Sequence, residues 1–318
     1  MRRLILLSLL FLAACVGTKE QVLPLLLVTA GDEGLSFYLA DALREGEDAP
    51  LGRWEGIDAV DVFADEETLW VLTPSALYGY DAALFSAEAV PNEAEAKKIS
   101  LALDDCAEGY LKAGAYDLLV VCANDRVYRV KGGELLHEDV AELAALPAVA
   151  YALYPDPEAG EDLLAAAYAG AEGFSLVVGE EELDAPRPAL VEALDLYLPP
   201  GGETLYLLAV AGGGENSLVY TYTGELKEVA GAKESEPRRL AGEPSAVVAY
   251  GQGVLLVKEK AEFATYYDYA AAYVDKNLYL YLAGDRALLV YDLAASPPYR
   301  VRYLAVGGVR SVTGLLLR

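Results

Sequence analysis

A β-propeller, an all-β ring of short-stranded blades, is the fold that three observations in this sequence predict. The thirty residues from Asn277 to Val306 read as strand, tight turn, strand, proline turn, strand. Variants of that pattern recur along the chain at roughly the 40–50 residue interval of propeller blades. Long amphipathic helical periodicity is missing.

The elements follow in order. Asn277-Leu-Tyr-Leu-Tyr-Leu-Ala-Gly284 leads through Asp285-Arg286 into Ala287-Leu-Leu-Val-Tyr-Asp-Leu293. Pro297 and Pro298 then turn the chain into Tyr299-Arg-Val-Arg-Tyr-Leu-Ala-Val306. Six earlier pairs resemble the first two strands: 25–31 with 35–41, 68–73 with 76–81, 117–123 with 126–130, 163–168 with 174–178, 204–210 with 218–222, and 253–257 with 263–268. The first member of each is almost wholly apolar, as a strand covered on both faces should be. The second alternates better and is rich in Tyr, and the turns between hold Gly, Asp, Asn or Glu. Another strand often precedes the pair (59–63, 148–153, 194–198, 246–250) and another often follows (98–103), making about four strands per unit.

With Leu39, Tyr80, Val130, Val178, Tyr222, Tyr267 and Tyr291 as matching points, the steps are 41, 50, 48, 44, 45 and 24 residues. Five suit a blade and the last is short, so seven blades are favoured and six is the alternative. The first pair leaves no room for an inner strand ahead of it, and Val309-Arg-Ser-Val-Thr-Gly-Leu-Leu-Leu317 is a strand without a successor. The C-terminal strand is therefore expected to complete the first blade, closing the ring and hiding its edges. Glu138–Leu146 reads as a short helix in a loop.

Leu289-Val-Tyr-Asp-Leu-Ala-Ala-Ser-Pro-Pro-Tyr-Arg-Val301 resembles the "LVIVD" repeat, in which an apolar strand ends in Asp before a proline turn. Ala76-Leu-Tyr-Gly-Tyr-Asp-Ala82 resembles the quinoprotein-type repeat. The chain is similar in these segments to bacterial β-propeller lipoproteins. The resemblance implies the fold and carries over no functional residue.

The N-terminus predicts an address. Arg2 and Arg3 precede the apolar run Leu4–Leu12, which falls short of the roughly 20 apolar residues that span a bilayer. Leu12-Ala13-Ala14-Cys15 then resembles the bacterial lipobox. Residues 1–14 are expected to be a lipoprotein signal peptide, Cys15 the lipid attachment site, 15–21 the lipidated N-terminus and tether, and 22–318 the propeller domain. Several acyl chains together give stable anchoring.

Asp and Glu number 50 against 24 Lys and Arg, a net charge of −26. That balance disfavours nucleic acid and anionic headgroups. Glu45–Asp48, Glu93–Glu95 and Glu180–Asp184 are read as solvated loops. Few Asn, Gln and Met fit a thermophilic source or GC-rich codon usage equally. With Cys15 lipidated, Cys106 and Cys122 remain as an even pair in an exported chain, which favours a cross-strand disulfide. Cys106 would begin one strand-like segment and Cys122 end the next; two separate buried thiols are the alternative.

Residues that could carry chemistry are few. His137 is the only histidine. It is read as lying on an outer strand or loop, and no Gly-x-Ser-x-Gly elbow accompanies it. Two Cys and one distant His are a poor metal set. Asp104-Asp105, and Asp58 with Asp61, are candidate carboxylate pairs near inner strands, but no Asp-x-Asp-x-Asp-Gly loop occurs. Gly212-Gly-Gly214 precedes a strand rather than a helix, and so reads as a hairpin loop. Most of the 23 tyrosines, Tyr206, Tyr220, Tyr279 and Tyr291 among them, stand inside strands where Tyr packs well. Tyr266, Tyr267 and Tyr269, with Tyr273, depart most from the repeat and are the candidate binding surface. The sequence implies no catalytic residue, cofactor or metal.

The function expected is that of an extracytoplasmic, membrane-anchored propeller that binds a protein partner or serves as a scaffold in the cell envelope. The alternative is a sugar or small-ligand receptor, or an enzyme using carboxylates or a quinone at the central channel.

Overall fold

The structure, a computed structural model, describes residues 23–123, 126–138, 140, 148–170, 172–199, 201–213, 216–232, 237–241, 247–250, 253–257, 261–265 and 271–318. The expected signal peptide and tether, Cys15, Tyr266, Tyr267, Tyr269 and most of the expected helix at Glu138–Leu146 lie outside the described residues.

The described strands form seven four-stranded antiparallel sheets. The first contains β1 (Leu25–Gly31), β2 (Gly34–Leu39) and β3 (Gly52–Glu55). The second runs β4 (Asp61–Ala64), β5 (Thr68–Thr73), β6 (Ala76–Asp81), β7 (Lys97–Ala102), and the third β8 (Tyr110–Ala113), β9 (Leu118–Val121), β10 (Val127–Lys131), β11 (Glu134–Glu138). The fourth has β12 (Ala148–Asp156), β13 (Glu161–Gly170), β14 (Gly173–Val178), β15 (Glu181–Ala185), and the fifth β16 (Val191–Tyr197), β17 (Leu205–Ala211), β18 (Ser217–Tyr222), β19 (Leu226–Ala232). The sixth has β20 (Pro237–Ala241), β21 (Val247–Tyr250), β22 (Gly253–Leu256), β23 (Ala261–Ala264), and the seventh β24 (Ala271–Val274), β25 (Tyr279–Ala283), β26 (Leu288–Asp292), β27 (Tyr299–Leu304). The last strand, β28 (Val309–Leu316), joins the first sheet beside β1, running Leu25 opposite Leu316 through Gly31 opposite Val309.

Apolar alternation alone would leave each sheet one dry face. Here both faces are dry, because seven apolar clusters fill the seven spaces between neighbouring sheets. The first strand shows the consequence. Leu26 and Val28 pack toward the second sheet, Leu27 toward the seventh, and all three are fully buried. This is why the second strand of each unit reads as a continuous apolar run. The cluster between the first and seventh sheets closes the circle, so the architecture is an all-β propeller whose ends meet.

All inner strands run in one direction, which sorts the links onto two faces. Links from an outer strand to the next inner strand, and between the second and third strands of a sheet, form the upper face. Links between first and second strands, and between third and fourth, form the lower face. Both described chain ends lie on the lower face, where the Leu317 N–H donates to the Pro24 carbonyl at 2.9 Å. Helices are short: α1 (Ala40–Glu45) follows β2, and α2 (Glu93–Ala96) precedes β7. α1 stops at Gly46, whose φ of 113° is the left-handed conformation that ends a helix most cheaply.

The structure differs from the sequence-based expectation at five places. The pair at 253–257 and 263–268 was assigned one strand too far along. β22 is the third strand of its sheet, not the second, and its unbroken Val-Leu-Leu made it resemble the doubly covered second strands. Replacing Tyr267 by Leu256 as the matching point turns the last two steps from 45 and 24 into 34 and 35, which removes the short interval. Glu93–Glu95 is a helical turn rather than a loop, started by Asn92, whose Oδ1 accepts the Ala94 N–H. Glu181–Asp184 belongs to the edge strand β15, where side chains can alternate into solvent. Cys106 lies in the link between β7 and β8 rather than opening a strand, and Glu138 ends β11.

The Tyr-Asp ending of the third strands also gains a physical reason. Asp81 Oδ1 accepts the Ala83 N–H at 3.0 Å, and Asp292 Oδ1 accepts the Ala294 N–H at 2.9 Å. The aspartate thus caps the turn that starts the next link.

Candidate functional site

The inner strands ring the propeller axis, and each presents a free edge of backbone N–H and C=O groups to the channel. Buried polar backbone must be paired, and side chains from neighbouring sheets do this. Asp61, at the start of β4, is buried. Its Oδ2 accepts the Leu111 N–H of β8 at 2.8 Å, its Oδ1 accepts the Val62 N–H at 3.0 Å, and it accepts the Ser311 hydroxyl of β28. Ser311 Oγ and Thr313 Oγ1 in turn accept the Val62 and Ala64 N–H groups, both at 3.3 Å. One carboxylate and two hydroxyls therefore join the inner strands of three successive sheets.

Lys112 on β8 reaches past β12 to β16. Its Nζ donates to Asp195 Oδ1 at 2.7 Å and to the Leu196 carbonyl at 2.6 Å, with the Tyr110 ring 5.5 Å away. Both charged side chains are largely buried, so the pair is desolvated and needs its extra hydrogen bond to the carbonyl. The reading from sequence missed this strap. Its signal was a single lysine in a short strand otherwise made of Tyr, Leu and Ala.

The upper mouth carries a second regularity. β12, β16, β20 and β28 each have a bulge at their second residue, so Val149, Glu192, Arg238 and Arg310 are the extra residues of their ladders. Bulges re-aim side chains at rims, and Val149, Glu192 and Arg310 are exposed. Arg310 forks between Asp32 at 2.6 Å and Asp58 at 3.2 Å, so Asp58 sits on an exposed ion pair while Asp61 is buried in the ring.

The other candidates fall as follows. Cys106 and Cys122 form a disulfide with a Cα–Cα distance of 4.4 Å and pack in the cluster between the second and third sheets. Reduction, or Cys122→Ser, is expected to cost about 3 kcal/mol, the chain-entropy value for a loop of this length; comparing urea midpoints with and without reductant checks it. Asp105 pairs with Arg126 at 3.5 Å, and Asp104 is exposed. His137 is on the outer strand β11, edge-on to Tyr128 with centroids 5.5 Å apart. Gly212 and Gly213 link β17 to β18, the latter at φ 67°. Among the described residues no group of three His, Cys, Asp or Glu side chains converges to hold a metal ion, and no helix is long and apolar enough to cross a membrane.

Tyrosines are placed chiefly by packing. Tyr80, Tyr168 and Tyr281 are fully buried. The Tyr80 hydroxyl donates to Glu93 at 2.9 Å and that of Tyr220 to the Arg187 carbonyl at 2.7 Å. Burial raises the hydroxyl pKa of Tyr80, Tyr220 and Tyr281. Tyr273, on inner strand β24, is half-buried against the cluster between the first and seventh sheets. A Cβ on Gly314 of β28 would overlap its hydroxyl oxygen, so the glycine makes room for the ring.

The closure seam holds a further buried network. Arg44 of α1 reaches Asp275 at 3.3 Å and the Tyr281 hydroxyl at 2.6 Å, and lies over the Tyr279 ring at 4.2 Å. Asp275 also caps its own turn through the Asn277 and Tyr279 N–H groups, both at 2.9 Å. Burial pushes its carboxyl above the ordinary range despite these donors. At the outer edges are two shallow grooves. One of ≈ 560 Å³ lies between β3 and residues 90–93, and one of ≈ 370 Å³ runs along residues 183–187, Tyr220 and β19.

These features define a propeller whose axis is laced by polar side chains. In sequence, neither a protein-family profile nor a curated protein matches the chain. Solved structures do match in fold. Apo AztD from Citrobacter koseri aligns with a TM-score of 0.58 at 12% identity, over 92% of this chain and 98% of that one. A second Citrobacter koseri AztD structure gives 0.56 at 11% identity, over 92% and 97%. The complex of KlAtg21 with the coiled-coil of AgAtg16 gives 0.52 at 13% identity, over 94% and 96%. At these identities the likeness is one of fold.

Proposed function

We propose that this chain is a lipid-anchored, extracytoplasmic propeller that presents a rigid disc to a protein partner in the bacterial cell envelope. The observation that carries the reading is how the axial polar groups are used. Asp61, Ser311, Thr313, Lys112 and Asp195 all hold strands together, which makes the disc stiff and leaves binding to the faces. Arg2-Arg3, the apolar run and Leu-Ala-Ala-Cys15 support the anchor. The Cys106–Cys122 disulfide suits an oxidising compartment. KlAtg21, of similar fold, is seen with a coiled-coil partner, so a disc of this shape can serve protein binding. No cofactor and no nucleic acid enter this reading.

Two experiments test it. Cys15→Ser should move the protein from the membrane fraction to the soluble fraction, and unchanged sedimentation would defeat the anchor. Cross-linking in intact cells, followed by purification from detergent, should return a stoichiometric protein partner; recovery of the chain alone would defeat the scaffold role.

A further inference from the structure

The lower face of the disc, where the chain ends meet, carries an unusual set of side chains. Four of the eight exposed large apolar residues among the described residues stand on its links or at the foot of a strand that rises from it: Leu23 is 43% exposed, Leu84 49%, Tyr116 53% and Tyr299 55%. The upper face has two, Val149 and Leu190, and the remaining two are on outer strands. Leu23 lies ahead of β1, Leu84 follows β6, Tyr116 sits between β8 and β9, and Tyr299 opens β27, so the four span three sheets and the N-terminal entry. Tyrosine pairs an apolar ring with a polar tip and favours the boundary between lipid and water.

From these placements we propose that the lower face lies against the headgroups of a zwitterionic bilayer and the upper face points away from it. The inference rests on the lipid anchor proposed above, and the geometry of the chain supplies the argument. From Cys15 to Leu23 is eight residue steps, which extend roughly 29 Å at most. β1 is the second strand from the axis. To lay the upper face on the bilayer, the tether would have to pass two strand spacings, about 10 Å, to the rim and then rise past strands about 20 Å tall. That path of roughly 30 Å would take the whole of the tether's extended reach, whereas the lower face lies at its root. The disc's strong negative charge excludes an anionic surface, whereas four exposed apolar side chains suit the interface of uncharged headgroups.

The lipidated full-length protein reconstituted in phosphatidylcholine vesicles tests this. Lipidation of Cys15 and the Cys106–Cys122 disulfide leave an introduced thiol as the only one to label. Single fluorophores are placed at Tyr116→Cys on the third sheet and Lys276→Cys on the seventh, nearly across the lower face from each other, and at Glu33→Cys and Glu172→Cys on the upper face. With headgroup spin-labelled lipid, quenching at both lower positions is expected to exceed that at the upper positions at least three-fold. Equal quenching of the two faces overturns the orientation. So does quenching at only one of Tyr116→Cys and Lys276→Cys, which is the signature of a disc standing on edge. Failure of the labelled protein to float with the vesicles overturns the anchor itself, and the orientation with it.

Discussion

A chain ending at Gly307 is expected to lose its closed ring and to aggregate. β28 supplies the inner strand of the first sheet and pairs with β1 along its whole length. Its removal strips Val309 and Val312 from the cluster shared with the seventh sheet, and Leu315 and Leu317 from the cluster shared with the second. Burying each such side chain contributes about 1.5–3 kcal/mol. The four together approach the roughly 5–15 kcal/mol that stabilises a whole domain. The truncation also bares the edge of β1, whose Leu-Leu-Leu-Val sequence is a template for pairing with other chains. Size-exclusion chromatography should show aggregate, and adding a peptide of residues 308–318 during refolding should restore the elution volume of the intact chain. A truncated chain that elutes like the intact one and melts within a few degrees of it would show that the first sheet does not need its fourth strand.

Asp61→Ala should be the most damaging single substitution of a polar residue in the ring. It removes the acceptor of the Leu111 N–H, the Val62 N–H and the Ser311 hydroxyl in one step. Leaving a buried donor unpaired costs about 1–3 kcal/mol, and three strands share this one acceptor. A loss of about 3–5 kcal/mol is expected, read as a lower urea midpoint with an unchanged slope. Asp58→Ala is the control. It is three residues away and carries the same charge, but its exposed pair with Arg310 should contribute under about 1 kcal/mol. Equal effects for the two substitutions would show that burial and strand fastening are not what Asp61 supplies.

Much of the architecture was legible because the strand pattern is local. The pairs at 68–73 and 76–81 coincide with β5 and β6, and the ring-closing role of 309–317 follows from a strand left without a partner. The sixth unit was misread because β22 is as apolar as a second strand. Its burial comes from neighbouring sheets, and short-range periodicity does not report which strand of a sheet a segment forms. The site was less legible. Asp61 was noticed as one acid near an inner strand, but its partners lie 50 and 250 residues away. Lys112 meets Asp195 across 83 residues of chain. No spacing rule links such residues, because the ring rather than the local sequence brings them together. The disulfide was foreseeable from parity and compartment, though Cys106 proved to sit in a link.

The pairing of residues 25–31 with residues 309–316 also sets a clock. During synthesis β1 must wait for a strand made much later, because it has no inner neighbour until β28 arrives. Contacts that distant along the chain form slowly. The first sheet can therefore be completed only after the strands of the other six have been made.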